Sequence, residues 1–178
     1  MKIIDRPLEG VLVIEPEVWS DERGYFKEIF QLPRYFGVGV ELPLVQDNFS
    51  KSTKGVLRGL HFQRNKPQGK LVSCLRGAVF DVVVDINQES STFGKHFAIE
   101  LSEDNHLQVW IPPGYAHGFC VISSSALVHY KTSDYYDPDD EGGVIWDDPE
   151  LAISWPVKSP KLSPKDRRWP RLGEGNFK

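Results

Sequence analysis

Cysteine is nearly missing from this chain of 178 residues: there are two, Cys74 and Cys120. Both sit in apolar surroundings without metal-ligand spacing, so they read as buried reduced thiols, and nothing in the sequence asks for a bridge between them. Long hydrophobic runs are missing too. No segment approaches the ~20 apolar residues that cross a membrane. Met1 to Gly10 carries Asp5, Arg6 and Glu9 with no apolar signal region, so the expected location is the cytoplasm. Positive charge is in deficit, with 21 Lys and Arg against 25 Asp and Glu, a formal net charge of −4. That balance excludes a general nucleic-acid binder, which would show a basic stripe. An anionic ligand would need arginines and lysines gathered locally.

What the chain does contain is strand periodicity. Gly10 to Val13, Tyr25 to Phe30, Lys95 to Leu101, His106 to Ile111, Gly118 to Ile122 and Leu127 to Tyr136 read as strands. Leu71 to Leu75, the pair Arg76-Gly77 and Ala78 to Ile86 read as a hairpin. Turn residues recur at Asp21-Glu22-Arg23-Gly24, Phe93-Gly94, Pro112-Pro113-Gly114 and Asp137-Pro138-Asp139-Asp140. Many short strands at even spacing indicate a sandwich or jelly roll rather than βαβ units. Only Leu32 to Gly37 suits a helical turn, with Pro33 at its start. There is no repeat, low-complexity segment or linker, so residues 1–178 are expected to form one domain. The stretch with Pro156, Pro160, Pro164 and Pro170 is expected as an extended tail over the barrel.

Chemistry concentrates in Arg58-Gly59-Leu60-His61-Phe62-Gln63, followed by Pro67, Gly69 and Lys70. Arginine holds an anion bidentately, histidine moves a proton near neutral pH and lysine neutralises developing negative charge. Strand alternation puts Arg58 and His61, three apart, on opposite faces. They converge only if Arg58 precedes the regular strand or a bulge intervenes, and Gly59 is the place for one. Lys70, Val72 and Cys74 share a face, as do Val79, Asp81, Val83 and Asp85. Asp81 either orients a site residue or lies at a strand end or sheet edge.

Three segments carry a resemblance: Gln46-Asp47-Asn48-Phe49-Ser50, Gly55 to Gln63 and Pro112-Pro113-Gly114-Tyr115-Ala116-His117-Gly118-Phe119. Tyr130 with Tyr136, Asp147-Asp148-Pro149, Trp155-Pro156 and Leu162-Ser163-Pro164-Lys165-Asp166 add to it. In this order the chain resembles the dTDP-4-dehydrorhamnose 3,5-epimerase family over nearly its whole length. The resemblance implies an all-β, cupin-like jelly roll, a homodimer, and no metal or other cofactor. The implied reaction inverts carbons 3 and 5 of dTDP-4-dehydro-6-deoxyglucose. Relatives that invert only one of these carbons keep much the same groups.

Roles follow from the resemblance. His61 is the implied base, and an imidazole titrates close to operating pH. Asp166 is its partner. Tyr130 is the implied acid, since a phenol with a pKa of about 10 stays protonated at pH 7. Lys70 holds the enolate. Arg23 and Arg58 are implied for the diphosphate, with thymine stacked between Tyr136 and Phe26. Glu28, Gln46, Asp47, Asn48, His117, Glu141 and Lys165 complete the implied substrate contacts. On the residues alone, Tyr130 is readable as an amphipathic strand aromatic and Asp166 as an ion-pair partner of Arg167 or Arg168. The rival class is a metal cupin or a sugar-binding jelly roll without epimerase activity. Pro113-Gly114-Tyr115-Ala116-His117 resembles one cupin metal motif, but His61-Phe62-Gln63 stands where the His-x-His pair is required, which makes a poor transition-metal site.

Overall fold

The computed structural model describes residues 1–175, so the last three residues of the expected domain lie outside the described residues. Its body is two antiparallel sheets face to face. The first has six strands in the order β1 (Lys2–Asp5), β2 (Leu12–Glu15), β10 (Gln108–Ile111), β7 (Lys70–Arg76), β12 (Ser125–Thr132) and β5 (Gln46–Thr53). The second has five: β13 (Glu141–Gly143), β6 (Leu57–Gln63), β11 (Tyr115–Val121), β8 (Ala78–Asp85) and β9 (His96–Ser102). A separate hairpin, β3 (Val18–Asp21) with β4 (Gly24–Lys27), turns through the Asp21-to-Gly24 sequence. This is the expected cupin-like jelly roll. No helix among the described residues is long and apolar enough to cross a membrane.

Apolar side chains fill three layers. Val72, Cys74, Val79, Val83, Val109, Phe119 and Val128 pack between the sheets. Leu60, Phe62, Val82, Val84, Leu151 and Leu172 pack on the outer face of the five-stranded sheet. There the proline-rich tail covers it, joined by a parallel bridge from Val56 to Lys161. On the outer face of the six-stranded sheet, Leu12, Ile14, Leu71 and Trp110 are covered by Tyr35 and Val40. Tyr35 belongs to α1 (Leu32–Phe36), which has a proline at its start as expected. A sheet covered on both faces needs apolar residues at successive positions, which is why β8 and β11 are apolar on both faces apart from Asp81, Asp85 and His117.

The expected hairpin across Arg76-Gly77 does not form. β7 lies in the six-stranded sheet and β8 in the five-stranded one, so the chain crosses from one layer to the other at this point. Gly77 has φ 73°, and a Cβ there would lie 2.1 Å from the carbonyl oxygen of Ser125. Turn chemistry announces a change of direction but does not say which strand will be the neighbour. Several strand ends also differ from expectation, and two of them move implied site residues out of strands. β4 stops at Lys27, so Glu28 is outside the strand, and β12 stops at Thr132, which leaves Tyr136 in the following loop.

Gly59 does carry a bulge. His61 faces His117 across the β6–β11 ladder while Arg58 faces Phe119, three steps on one strand against two on the other. Gly59 has φ 137°, and a Cβ there would stand 2.5 Å from the Gly118 Cα. Only glycine meets both conditions. The extra residue turns Arg58 to the side that His61 faces.

Candidate active site

The bulge sets Arg58 and His61 over a cavity of about 200 Å³ between the sheets, lined by Ser50, Arg58, His61, Lys70, His117, Phe119 and Tyr130. A second cavity of about 160 Å³ shares Lys70 and Tyr130 and adds Gln46, Asn48, Gln63, Gln68, Thr132, Tyr136 and Glu141. His61 enters from β6 of the five-stranded sheet. Lys70 and Tyr130 enter from β7 and β12 of the facing one.

His61 lies between two carboxylates. Its Nε2 is 2.5 Å from Asp166 Oδ1, and its Nδ1 is 3.8 Å from Glu141 Oε1. Asp166 is 105 residues away in sequence, and its backbone N–H donates to Ser163 Oγ at 3.1 Å. Burial raises the Asp166 carboxyl, but His61 above all, with smaller help from Ser163 and Trp169, holds its pKa below the ordinary value. The pair Asp166–His61 replaces the alternative partners Arg167 and Arg168. Glu141 Oε2 also accepts from the Tyr136 hydroxyl at 3.0 Å and from the Lys165 ammonium.

Lys70 is shielded by the sheets, and burial pulls its pKa down from 10.5 to about 8, with Glu141 and Asp81 acting in the opposite direction. Its Nζ donates to the His61 carbonyl at 3.2 Å. The ammonium therefore stays charged at neutral pH but close to the point of losing its proton. Burial raises the Tyr130 phenol, Glu141 adds to the rise and Arg58 opposes it. A phenol held up in this way keeps its proton until a strong base forms beside it.

His117 is fixed by Asp81, whose Oδ2 lies 2.8 Å from its Nε2 in the buried core. Asp81 is thus an orienting carboxylate and not a residue of the sheet edge. Its second oxygen and Ser50 Oγ are buried and have no hydrogen-bond partner among the described residues. Arg58 Nε donates to Ser52 Oγ at 3.0 Å. Gln46 Nε2 donates to Asn48 Oδ1 at 2.8 Å, and Gln46 Oε1 accepts from the Tyr136 backbone at 3.0 Å.

Five residues of the implied substrate set do not line these cavities, Lys165 among them, whose ammonium pairs with Glu141. Asp47 is another, because alternation along β5 sends Gln46, Asn48 and Ser50 inward and Asp47 outward. Its carboxylate is held there by Lys131 at 2.7 Å and His129 at 2.8 Å. The others are Arg23, Phe26 and Glu28. Arg23 bonds Asp21, Glu28 bonds Arg34, and Phe26 is 69% exposed. Ser50, Gln63, Gln68 and Thr132 line the cavities without having been singled out. Counting by two finds Ser50 from Asn48, Gln63 from His61 and Thr132 from Tyr130, whereas Gln68 precedes β7 and no strand period marks it. Among the described residues no group of three or more His, Cys, Asp or Glu side chains is placed to hold a metal ion.

A family model described as dTDP-4-dehydrorhamnose 3,5-epimerase matches residues 5–174. The enzyme of that name from Methanothermobacter thermautotrophicus is 47% identical over 176 residues, 97% of this chain and 95% of that protein. The crystal structure of dTDP-6-deoxy-D-glucose-3,5-epimerase from Legionella pneumophila, in complex with dTDP-4-keto-L-rhamnose, superposes with a TM-score of 0.96. It is 48% identical and covers 98% of this chain and 94% of that one. A dTDP-4-dehydrorhamnose 3-epimerase from Streptomyces niveus is 46% identical over 166 residues, 91% of this chain and 80% of that protein.

Proposed function

We propose a reaction from one premise: the chain belongs to the dTDP-4-dehydrorhamnose 3,5-epimerase family. It inverts carbons 3 and 5 of dTDP-4-dehydro-6-deoxy-D-glucose and yields dTDP-4-dehydro-L-rhamnose. One observation supports this best. His61 and Tyr130 line the same cavity from opposing sheets, with Lys70 beside them. A pyranose lying between the sheets meets a base on one face and an acid on the other.

Both carbons flank the ketone, so each carries an acidified hydrogen. Asp166 occupies His61 Nε2, which leaves Nδ1 to take the proton. The C–H electron pair moves to the carbonyl oxygen, and the Lys70 ammonium stabilises the enolate. Tyr130 then delivers its proton to the opposite face of the same carbon, which completes the inversion. Solvent restores the phenol and removes the proton from His61. Asp166 stabilises the imidazolium in between, as a carboxylate held low in pKa is able to do. The nucleotide holds the substrate while the second carbon reacts, so that step is effectively intramolecular.

A second reading, inversion at one carbon only, has the match to the 3-epimerase of S. niveus in its favour. Incubation in heavy water decides between them. Deuterium is expected at both carbon 3 and carbon 5. Label at a single carbon after long incubation would move this protein to the mono-epimerases.

We also infer a homodimer. Arg23, Phe26 and Glu28 sit on or just after a hairpin away from the cavities, and that hairpin exposes Trp19, Tyr25 and Phe26. A second copy brings such a hairpin to the open side of the site, where Arg23 suits the diphosphate and Phe26 the thymine. Mixing Arg23→Ala protein with His61→Asn protein, after dissociation and reassociation, tests this. A site shared between chains regains about a quarter of the parent activity, because half the dimers are mixed and each has one intact site. A site contained in one chain regains nothing.

A further inference from the structure

We propose that Trp169 is a positioning residue for the His61–Asp166 pair, locking the base in orientation and walling it from water. The inference rests on the reading of His61 as the base. Trp169 belongs to none of the motifs that mark the site, yet one ring touches three of its members. It meets the His61 imidazole edge-on, with centroids 6.1 Å apart and planes at 70°. The Lys165 ammonium stands over its ring at 5.9 Å. Its side chain also helps hold the Asp166 carboxyl low.

The ring has little freedom. It lies flat against Gly143 of β13, where a Cβ would come within 2.4 Å of the indole. The Ile145 N–H donates to the carbonyl of Pro170, the next residue, at 2.9 Å. Trp169 Nε1 is buried and has no acceptor in hydrogen-bond geometry among the described residues. An indole N–H is costly to bury unpaired, and Asp166 is the accepting group it acts on. A small tilt of the ring or carboxylate brings the two into a bond.

This placement gives Trp169 two effects. The ring closes the side of the His61–Asp166 contact, where Asp166 is 4% exposed, so solvent does not weaken the pair. Once tilted into a bond, the N–H donates to the carboxylate and keeps Oδ1 directed at His61 Nε2. A base that must point Nδ1 at the substrate depends on that direction.

Trp169→Ala removes wall and N–H together, and kcat should fall roughly tenfold or more at a KM within about twofold of the parent's. Trp169→Phe keeps a ring and loses the N–H, so kcat should fall severalfold, again at unchanged KM. If Trp169→Ala does not fold, the phenylalanine variant carries the test. A parent-like kcat in both variants, or a loss confined to KM, overturns the proposal. Emission supplies a readout without turnover, since a protonated imidazole quenches an adjacent indole. The difference between parent and Trp169→Phe emission should titrate with one proton, and the titration should vanish in a His61→Asn background. A titration that survives in His61→Asn also overturns the proposal. Parent-like turnover by His61→Asn itself overturns instead the reading of His61 as base.

Discussion

His61→Asn should take up no deuterium at carbon 3 or carbon 5 and should lose turnover by about 10³- to 10⁴-fold, the upper part of the range for general acid–base catalysis. Asparagine keeps a polar amide near Asp166 but has no basic nitrogen. Neither neighbouring carboxylate replaces it, because Asp166 is 4% exposed and Glu141 is engaged by Tyr136 and Lys165. Tyr130→Phe makes the informative contrast. The base still removes a proton and returns it, or a deuteron, to its own face, so exchange continues while inversion falls by about 10²-fold or more. Parent-rate exchange by His61→Asn would remove this residue from the chemistry. Parent-rate inversion by Tyr130→Phe would do the same for the phenol.

Lys70→Met should cost turnover about 10²- to 10³-fold, the size of effect seen when a donor to a developing oxyanion is lost. Methionine fills the space without the charge. Stability should move the other way or not at all. Burial lowers the Lys70 pKa to about 8, so confinement costs the ammonium more than Glu141 and Asp81 return to it. A melting temperature at pH 7 no lower than the parent's is therefore expected, together with a nearly inactive protein. The same shift sets a pH dependence. The ammonium is present below about 8 and is lost as pH rises through that value, so kcat/KM of the parent should decline on the alkaline side there. Lys70→Arg, whose guanidinium stays protonated past pH 12, should show no decline near 8. A parent profile flat to pH 10 would mean that the charge on Lys70 does not serve the transition state.

Local signals were legible where they act over a few residues. Pro33 at the start of α1, the turn from Asp21 to Gly24, the place for a bulge at Gly59 and an all-β sandwich or jelly roll follow from backbone sterics and side-chain period. The choice of jelly roll came from the motif resemblance. The members of the site were named through motif resemblance, and the cavities gather most of them. β5 was missed for a functional reason. Its inward face is Gln46, Asn48, Ser50 and Ser52, polar because it lines the cavities and the adjoining Arg58 contact. The apolar alternation that identifies a strand is absent where the strand lines the cavities of the candidate site.

Tertiary structure alone decided the rest. Sequence has β7 and β8 adjacent, separated by a glycine; packing puts them in different sheets, because both have two apolar faces and each sheet is covered outside. Alternation sent Asp47 to the outer face once β5 was paired with β12. The hairpin that carries Arg23 and Phe26 was held away from the cavity. Asp166, in a tail without regular strands, reached His61 across 105 residues only because that tail is pressed onto the five-stranded sheet by Leu151, Trp155 and Leu172. The sequence by itself determined which groups are present and how each short stretch bends. Which groups meet was left to the burial of apolar faces, a property of the whole chain that no window of a few residues contains.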